Sequence, residues 1–171
     1  MSGFLISRNS DAIYDLRRIT GGNNSSRALI LLTASGVVTG IILSSWYRLY
    51  LGIDSFPKSI HFFAVIAALI GSTEELVFRG FIQGQVKKIN GPLSVLFSTV
   101  AHTGYKCCLF LSPMVAGNID VSFLGFFTFS AGLVFGSIRY FTGSLIPSLI
   151  AHALFDIMVY AEYVSAPWWV W

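Results

Sequence analysis

Long apolar runs without a charged residue constrain this chain more than any other feature of its sequence. The first, ALILLTASGVVTGIILSSWY at residues 28–47, extends for roughly 20 residues, the length that one helix needs to cross the hydrocarbon core of a bilayer. Four further apolar runs lie near residues 60–86, 93–111, 121–138 and 144–164. The sequence therefore predicts an all-α fold, a multi-pass transmembrane helical bundle of about five spans.

The composition agrees with a membrane location. The chain is 54% hydrophobic and 15% aromatic with only 11% charged residues, whereas soluble domains average about 25% charged residues. A core built from 171 residues is too small to hide so much apolar surface, so we expect membrane lipids to cover the rest. These observations predict one membrane domain over residues 28–171, preceded by a polar cytoplasmic head over residues 1–27.

The basic residues are interpreted as topology signals. The net charge is +3, but Lys and Arg are scattered and form no basic patch with interleaved aromatic residues, which excludes a nucleic-acid partner. Their bias predicts an integral protein of the cytoplasmic membrane with its N-terminus in the cytoplasm and its C-terminus outside. The two cysteines, Cys107 and Cys108, are neighbours, so they form neither a CxxC metal pair nor a disulfide framework.

Charged residues interrupt the second apolar run in the stretch STEELVFRGF, residues 72–81. Ionisable side chains inside a membrane span are energetically costly and usually mark a functional site. Glu75 and Arg79 are spaced i,i+4, so they are expected to form an ion pair on one helical face. Glu74 lies about 100° around the helix and cannot share that arginine equally well, so its presence requires another explanation.

Two other spans carry ionisable residues. His102 lies on the third span, and His152 and Asp156 stand i,i+4 on the fifth, where they can hydrogen-bond. Packing explains each group taken alone. At a rise of 1.5 Å per residue, however, Glu74, His102 and His152 lie at overlapping depths of about 20, 14 and 12 Å from the inferred cytoplasmic ends. We therefore expect them to converge in one cavity.

The chemistry of this set leaves two alternatives open. A glutamate can act as a general base on water that attacks an amide carbonyl, while imidazoles share the proton or stabilise the oxyanion. Alternatively, Glu74, His102, His152 and Asp156 would hold a divalent metal such as zinc with an open position, as in a metalloprotease. The sequence contains no GxSxG, glycine-rich phosphate loop or HExxH motif.

The segments EELVFR and HALFD, with a membrane histidine between them, resemble the CPBP family of CAAX proteases and bacteriocin-processing enzymes, which includes the Ras-converting intramembrane protease. The family motifs are EExxxR, FxxxH and HxxxN/D, and the resemblance covers roughly residues 60–160. It implies intramembrane proteolysis of a membrane-associated peptide or protein substrate, with CAAX-type processing as one form of that activity.

Carried over by position, the resemblance assigns roles to individual residues. Glu74 would activate water and His102 would help to hold it. Glu75 and Arg79 would support the site, and His152 with Asp156 would face the developing oxyanion.

The chain departs from the family pattern in two motifs. The second reads Ser98-x-x-x-His102 with Phe97 one place early, so either the aromatic wall is supplied from a shifted position or this helix packs differently. The third ends in Asp156 instead of asparagine, and an ionised aspartate cannot donate to an oxyanion. Asp156 would therefore be protonated, orient His152 through a hydrogen bond, or ligate a metal.

Two other classes of function fit the same residues. One is a non-proteolytic membrane protein, such as an immunity or scaffold protein, that retains the motifs as a structural polar network. The other is a pathway for small ions or protons. The chain is also short for the family it resembles, and a dimer or a partner subunit would compensate for the small number of helices.

Overall fold

The fold is known from a computed structural model that describes residues 25–110 and 120–164, and the regular structure in these ranges is entirely helical. The helices are α1 (Ser26–Tyr50), α2 (Phe62–Glu75), a π-helical segment (Leu76–Ile82), α3 (Gln83–Lys87), α4 (Gly91–Phe110), α5 (Val121–Thr142) and α6 (Ile146–Tyr160). Since α2, the π-helical segment and α3 follow one another without a break, the described chain forms five helical rods. The predicted all-α fold is confirmed, while the predicted polar head, residues 1–27, lies almost entirely outside the described residues.

Local sequence signals set the ends of several helices. The Asn90 side chain accepts a hydrogen bond of 2.9 Å from the Leu93 amide at the start of α4, and Asp120 accepts one of 3.0 Å from the Phe123 amide at the start of α5. At the other end of α5, Gly143 adopts a left-handed conformation with φ of 69°. Glycine ends helices readily in this way because it lacks a Cβ. Asn90 and Gly143 therefore lie in short turns between successive rods.

Successive rods run in opposite directions. Along the pair formed by α4 and α5, Gly91 faces Tyr140 at one end and Cys107 faces Gly125 at the other. The α2 rod begins where α6 ends, because the amide of His61 donates a hydrogen bond of 2.7 Å to the carbonyl of Ala161. The five rods of the described chain therefore alternate in direction.

Two glycines bring α1 close to α6. A Cβ built on Gly36 would lie 2.6 Å from the Pro147 carbonyl oxygen, and one built on Gly40 would lie 2.8 Å from the Ala151 carbonyl oxygen. This spacing of small residues lets membrane helices approach each other closely. Since the contacts advance together along both helices, α1 and α6 are parallel.

Arg48 joins the far ends of the same two helices. Its side chain is 1% exposed and donates hydrogen bonds to the carbonyls of Asp54 at 2.6 Å and Met158 at 2.8 Å. It also forms an ion pair of 3.0 Å with Glu162. The sequence identifies Arg48 only as a basic residue that indicates topology, whereas in the structure its buried side chain connects the ends of two helices.

The apolar core is small. Aromatic rings fill one end of it, with Tyr47 packed against Phe127 and Phe155 at centroid distances of 4.8 and 5.5 Å. Such packing fixes α1, α5 and α6 around a common centre. The buried cluster consists of Leu43, Phe127, Ala131, Phe135 and Ala151.

The outer surface is unusually apolar, while polar side chains lie inside. Phe62, Phe81 and Phe141 are 76%, 65% and 82% exposed, whereas Glu75, Arg79 and Arg48 are at most 1% exposed. A soluble protein rarely exposes extended apolar surface in this way. Lipid contact accounts for this arrangement, because a bilayer solvates the apolar residues and polar groups must find partners within the bundle.

Two of the described helices, α1 and α5, are long and apolar enough by themselves to cross a membrane. The 15-residue helix α6 is apolar but shorter. Helix α2 has 14 residues before the π-helical segment begins, and α4 carries His102 and Lys106. The five predicted runs thus correspond to five rods, of which two meet the usual criteria for a span.

We predict that Gly40→Ala destabilises the fold. The added methyl would meet the backbone of Ala151, and such overpacking typically costs about 1–3 kcal/mol. Thermal unfolding of the detergent-solubilised protein measures the effect. The matched control is Gly84→Ala, since a Cβ at Gly84 meets nothing within 4 Å; equal unfolding temperatures for the two variants would contradict this packing.

Candidate active site

The centre of the candidate site is an ion pair at the junction of α2 and the π-helical segment. Arg79 Nη1 lies 3.1 Å from Glu75 Oε1, and both side chains are 0% exposed. This is the pair expected from the i,i+4 spacing. The wider turns of the segment were not expected from the sequence, and π-helical turns inside a helix are frequent at functional sites.

Glu75 also orients His152. The same Oε1 atom lies 3.0 Å from His152 Nδ1, so the carboxylate accepts the Nδ1 proton and leaves Nε2 directed elsewhere. The expected hydrogen bond from His152 to Asp156 is absent, because Nε2 lies 3.8 Å from Asp156 Oδ2. The i,i+4 interpretation was therefore wrong about which carboxylate holds the ring, and the holding residue comes from another helix.

Arg79 fixes the protonation pattern of His102 in its neutral form. The guanidinium Nη1 lies 2.8 Å from His102 Nδ1, and because a guanidinium only donates, Nδ1 must accept. The ring proton then sits on Nε2, which lies 3.2 Å from Glu74 Oε2. Arg79 thus determines, through His102, which atom donates to Glu74.

The three predicted residues Glu74, His102 and His152 come together in one place. Besides the contact with His102, Glu74 Oε2 lies 3.8 Å from His152 Nε2. The rings of His102 and His152 are 5.9 Å apart. The expected convergence of the three side chains is observed, although His102 and His152 line a cavity inside the bundle and Glu74 lines a groove on its surface.

Glu74 also has a partner that the sequence analysis missed. Lys106 Nζ lies 2.6 Å from Glu74 Oε1, so this carboxylate is paired as Glu75 is. The signal was present in the sequence, because Lys106 follows His102 by four residues and shares its helical face. It was missed because Lys106 was counted only as a topology signal.

Gly71 makes room for the third motif. A Cβ at this position would collide with the Asp156 carboxylate and lie 2.9 Å from His152 Cδ2. Asp156 itself is 7% exposed, so the carboxylate is packed against the α2 backbone. The sequence offered no signal that this glycine, rather than any other, contacts the site.

Aromatic rings border both histidines. Phe78 lies 4.6 Å from His102 and Phe135 lies 5.6 Å from His152, measured between ring centroids. Phe97, which the second motif places one position early, is 52% exposed and does not contribute. The aromatic wall therefore comes from the π-helical segment and α5.

A cavity of about 80 Å³ lies beside these residues. It is large enough for a few water molecules, since one needs roughly 10–15 Å³ of such volume. Arg79 Nη2 is buried and has no hydrogen-bond partner among the described residues. The lining residues with a charged or imidazole side chain are Arg79, His102, Lys106, His152 and Asp156.

A second, open groove reaches Glu74 from the outside. It has a volume of about 550 Å³ and an apolar wall formed mainly by α2 and the π-helical segment. Glu74 lines this groove, while its neighbours His102, Lys106 and His152 line the cavity inside the bundle. The wall residues include Ile66, Leu69, Ile70, Val77 and Phe78.

The metal alternative gains no support from this geometry. Within residues 25–110 and 120–164, no group of three or more His, Cys, Asp or Glu side chains is arranged to hold a metal ion. Although Glu74, His102, His152 and Asp156 are neighbours, the Lys106 ammonium occupies one Glu74 oxygen. In neutral His102 the atom facing Glu74 carries a proton, and a ligating nitrogen must be free of one. The described residues therefore do not support a zinc metalloprotease.

We predict that Arg79→Met destabilises the protein strongly. It would leave Glu75 buried without its counter-ion, and breaking a buried ion pair typically costs about 3–5 kcal/mol. Thermal unfolding in detergent and the yield of monodisperse protein measure the loss. Lys88→Met is the control, because Lys88 is exposed and its ammonium contacts Gln85 at 3.0 Å; an Arg79→Met protein as stable as this control would contradict the prediction.

A comparison with protein families matches residues 56–158 to the Rce1-like family, described as type II CAAX prenyl endopeptidase Rce1-like. The match covers more than half of the 171-residue chain and includes all six predicted site residues. The comparisons with curated proteins and with solved structures find no match. The resemblance seen in the three motifs is confirmed: the chain belongs to the Rce1-like family of membrane proteases.

Proposed function

We propose that this protein is an intramembrane endopeptidase in which Glu74 activates a water molecule. The observation that carries the proposal is the position of Glu74 Oε2, which lies 3.2 Å from His102 Nε2 and 3.8 Å from His152 Nε2. A carboxylate in contact with two imidazoles, which themselves line a small cavity, can bind water and accept its proton. Positioned acid-base groups of this kind typically accelerate a reaction by about 10²–10⁴-fold.

In the first step, Glu74 takes a proton from water while the water oxygen attacks the carbonyl carbon of the scissile peptide bond. The C=O π bond breaks and its electron pair moves to oxygen, which forms a tetrahedral oxyanion. In the second step, the electron pair of the oxyanion re-forms the C=O bond, the C–N bond breaks with its electron pair going to nitrogen, and Glu74 transfers the proton to that leaving nitrogen. His102 shares its Nε2 proton between Glu74 Oε2 and the attacking water, which holds the water beside the base, and Glu74 ends the cycle in its starting state.

Stabilisation of the oxyanion is assigned to two donor groups, Arg79 Nη2 and His152 Nε2. Arg79 Nη2 has no hydrogen-bond partner in the described chain, and His152 Nε2 donates when the ring carries both protons. Donors fixed in advance near developing charge are usually the largest electrostatic contribution to catalysis. Asp156, 3.8 Å from His152 Nε2, is assigned to balance the charge of that ring.

The proposed substrate is a membrane-associated protein or peptide, and we extend the family description to CAAX-type processing of a prenylated C-terminal segment. The apolar groove of about 550 Å³ beside Glu74 supports this choice, because it offers apolar surface next to the proposed base. The scissile peptide would reach Glu74 from this open groove, where an apolar part of the substrate also binds, while the attacking water would come from the small cavity.

We predict that Glu74→Gln abolishes cleavage and leaves the protein folded. The amide keeps the shape of the side chain but cannot accept the proton of water. The measurement uses purified protein in liposomes with a farnesylated fluorogenic peptide that ends in a CAAX sequence, together with thermal unfolding. Asp54→Asn serves as the control, because it makes the same acid-to-amide change in an exposed side chain.

A folded Glu74→Gln protein that cleaves the peptide at the wild-type rate would exclude the proposed mechanism. If neither protein cleaves, comparison of the membrane proteomes of cells that carry either form extends the test to other substrates. An unchanged proteome with an unchanged cellular phenotype would favour the scaffold or immunity alternative. Proton flux through liposomes that is lost in Glu74→Gln would favour the ion pathway.

We also propose the predicted orientation, with residues 1–27 as a cytoplasmic head. The alternation of five rods supports it, since an odd number of crossings puts the two ends of the chain on opposite sides. The distribution of charge agrees with the positive-inside rule. Arg27, Lys87, Lys88 and Arg139 lie at one end of the bundle, whereas Arg48 and Lys58 lie at the other.

We predict that residues 58 and 88 are accessible from opposite sides of the membrane. Lys58→Cys and Lys88→Cys, each in a background without Cys107 and Cys108, are labelled in intact cells with a membrane-impermeant maleimide. Lys58→Cys should react from outside and Lys88→Cys only after permeabilisation. Labelling of both from the same side would refute the five-crossing arrangement.

A further inference from the structure

Lys106 has a position that the three family motifs do not account for. Its ammonium lies 2.6 Å from Glu74 Oε1, and its side chain is 24% exposed while that of Glu74 is 8% exposed. It also lines the cavity that contains both histidines. Lys106 therefore contacts the proposed base directly and does so from inside the site.

The distribution of charge in the cluster gives Lys106 a specific task. The cluster contains three carboxylates, those of Glu74, Glu75 and Asp156, but Arg79 pairs with Glu75 at 3.1 Å. The remaining contacts of Glu74 are with imidazoles. Lys106 is thus the lysine or arginine side chain that pairs with the proposed base among the residues that the structure describes.

The two oxygens of Glu74 are used differently. Oε1 faces the Lys106 ammonium at 2.6 Å, while Oε2 faces the two imidazoles. Burial disfavours an ionised carboxylate, and an adjacent opposite charge favours it. The arrangement keeps one oxygen anchored and directs the other to the place where water would be activated.

We infer that Lys106 is a positioning residue that keeps Glu74 ionised and holds Oε1, so that Oε2 receives the proton of the attacking water. This inference rests on the proposed function of Glu74. Lys106 acts through the base and does not touch the reacting atoms. It is a property of this chain's own α4 sequence, His102-x-x-x-Lys106.

Four of the five rods carry other charged or titratable groups near Glu74. The remaining rod, α5, contributes only uncharged, non-titrating side chains to the cavity lining. Tyr105 borders the outer groove next to Glu74. None of these groups is a lysine or a second arginine, so none replaces Lys106 when it is removed. They are Tyr47 from α1, Glu75 from α2, Arg79 from the π-helical segment, His102 from α4, and His152, Asp156 and Tyr160 from α6.

The experiment compares Lys106→Met with Lys106→Arg. Methionine keeps the length of the side chain without its charge, whereas arginine keeps the charge. The pH dependence of kcat/KM is measured in liposomes with the farnesylated CAAX peptide. We expect Lys106→Met to move the acid side of the profile upward by about one to three pH units, because Glu74 then holds a proton at higher pH. Lys106→Arg should stay close to the wild type, and Lys88→Met is the surface control.

A second measurement is independent of activity. Infrared difference spectra, recorded as a function of pH and assigned with Glu74→Gln, follow protonation of the Glu74 carboxylate directly. The same upward shift is expected in Lys106→Met. If the wild type cleaves no peptide, the CAAX proposal fails, while the infrared titration still decides the role of Lys106.

Several results would overturn the inference. An unchanged pH midpoint in Lys106→Met, or equal shifts in Lys106→Met and Lys106→Arg, would show that the ammonium charge does not act on Glu74. Lys106→Gln replaces methionine if that variant fails to fold. Failure of both neutral variants to fold, with a folded Lys106→Arg, would assign Lys106 a structural role only.

Discussion

The site depends on one carboxylate oxygen, Glu75 Oε1, which is shared by Arg79 at 3.1 Å and His152 at 3.0 Å. Through Arg79 it also determines the tautomer of neutral His102, so a single buried group sets both imidazoles. Such a group is costly to bury unless its partners are complete, because an unpaired charge in a low-dielectric interior loses its solvation. The fully buried pair of Glu75 and Arg79 therefore holds the site residues in place, and Glu74 beside it is more exposed.

Much of the architecture was predictable because a membrane imposes few solutions. The apolar runs gave the five rods to within a few residues, and the spacing in EELVFR gave the ion pair. The π-helical segment was not predictable, since its residues satisfy an ordinary helical pattern equally well. Arg48 was misinterpreted for a similar reason, because a lysine or arginine at a helix end looks the same whether it faces water or closes a contact with Glu162.

Within the site, spacing along one helix was a better guide than chemistry between helices. The prediction that Glu74, His102 and His152 meet was correct, but the partner of His152 was not, because Glu75 lies 77 positions away in sequence. Periodicity contains no information about contacts of that kind. The same limit explains why Gly71 was not recognised as the residue that leaves space for Asp156.

The parallel contact between α1 and α6 determines when the site can exist during synthesis. The α1 glycines that face Pro147 and Ala151 leave the ribosome long before α6 does. The surface of α1 that they form therefore has no partner until α6, the last described helix, has been made. Because α6 carries His152 and Asp156, the proposed base and its oxyanion partner remain apart until that helix inserts. A membrane protease assembled in this order is inactive towards neighbouring proteins while it is still being made.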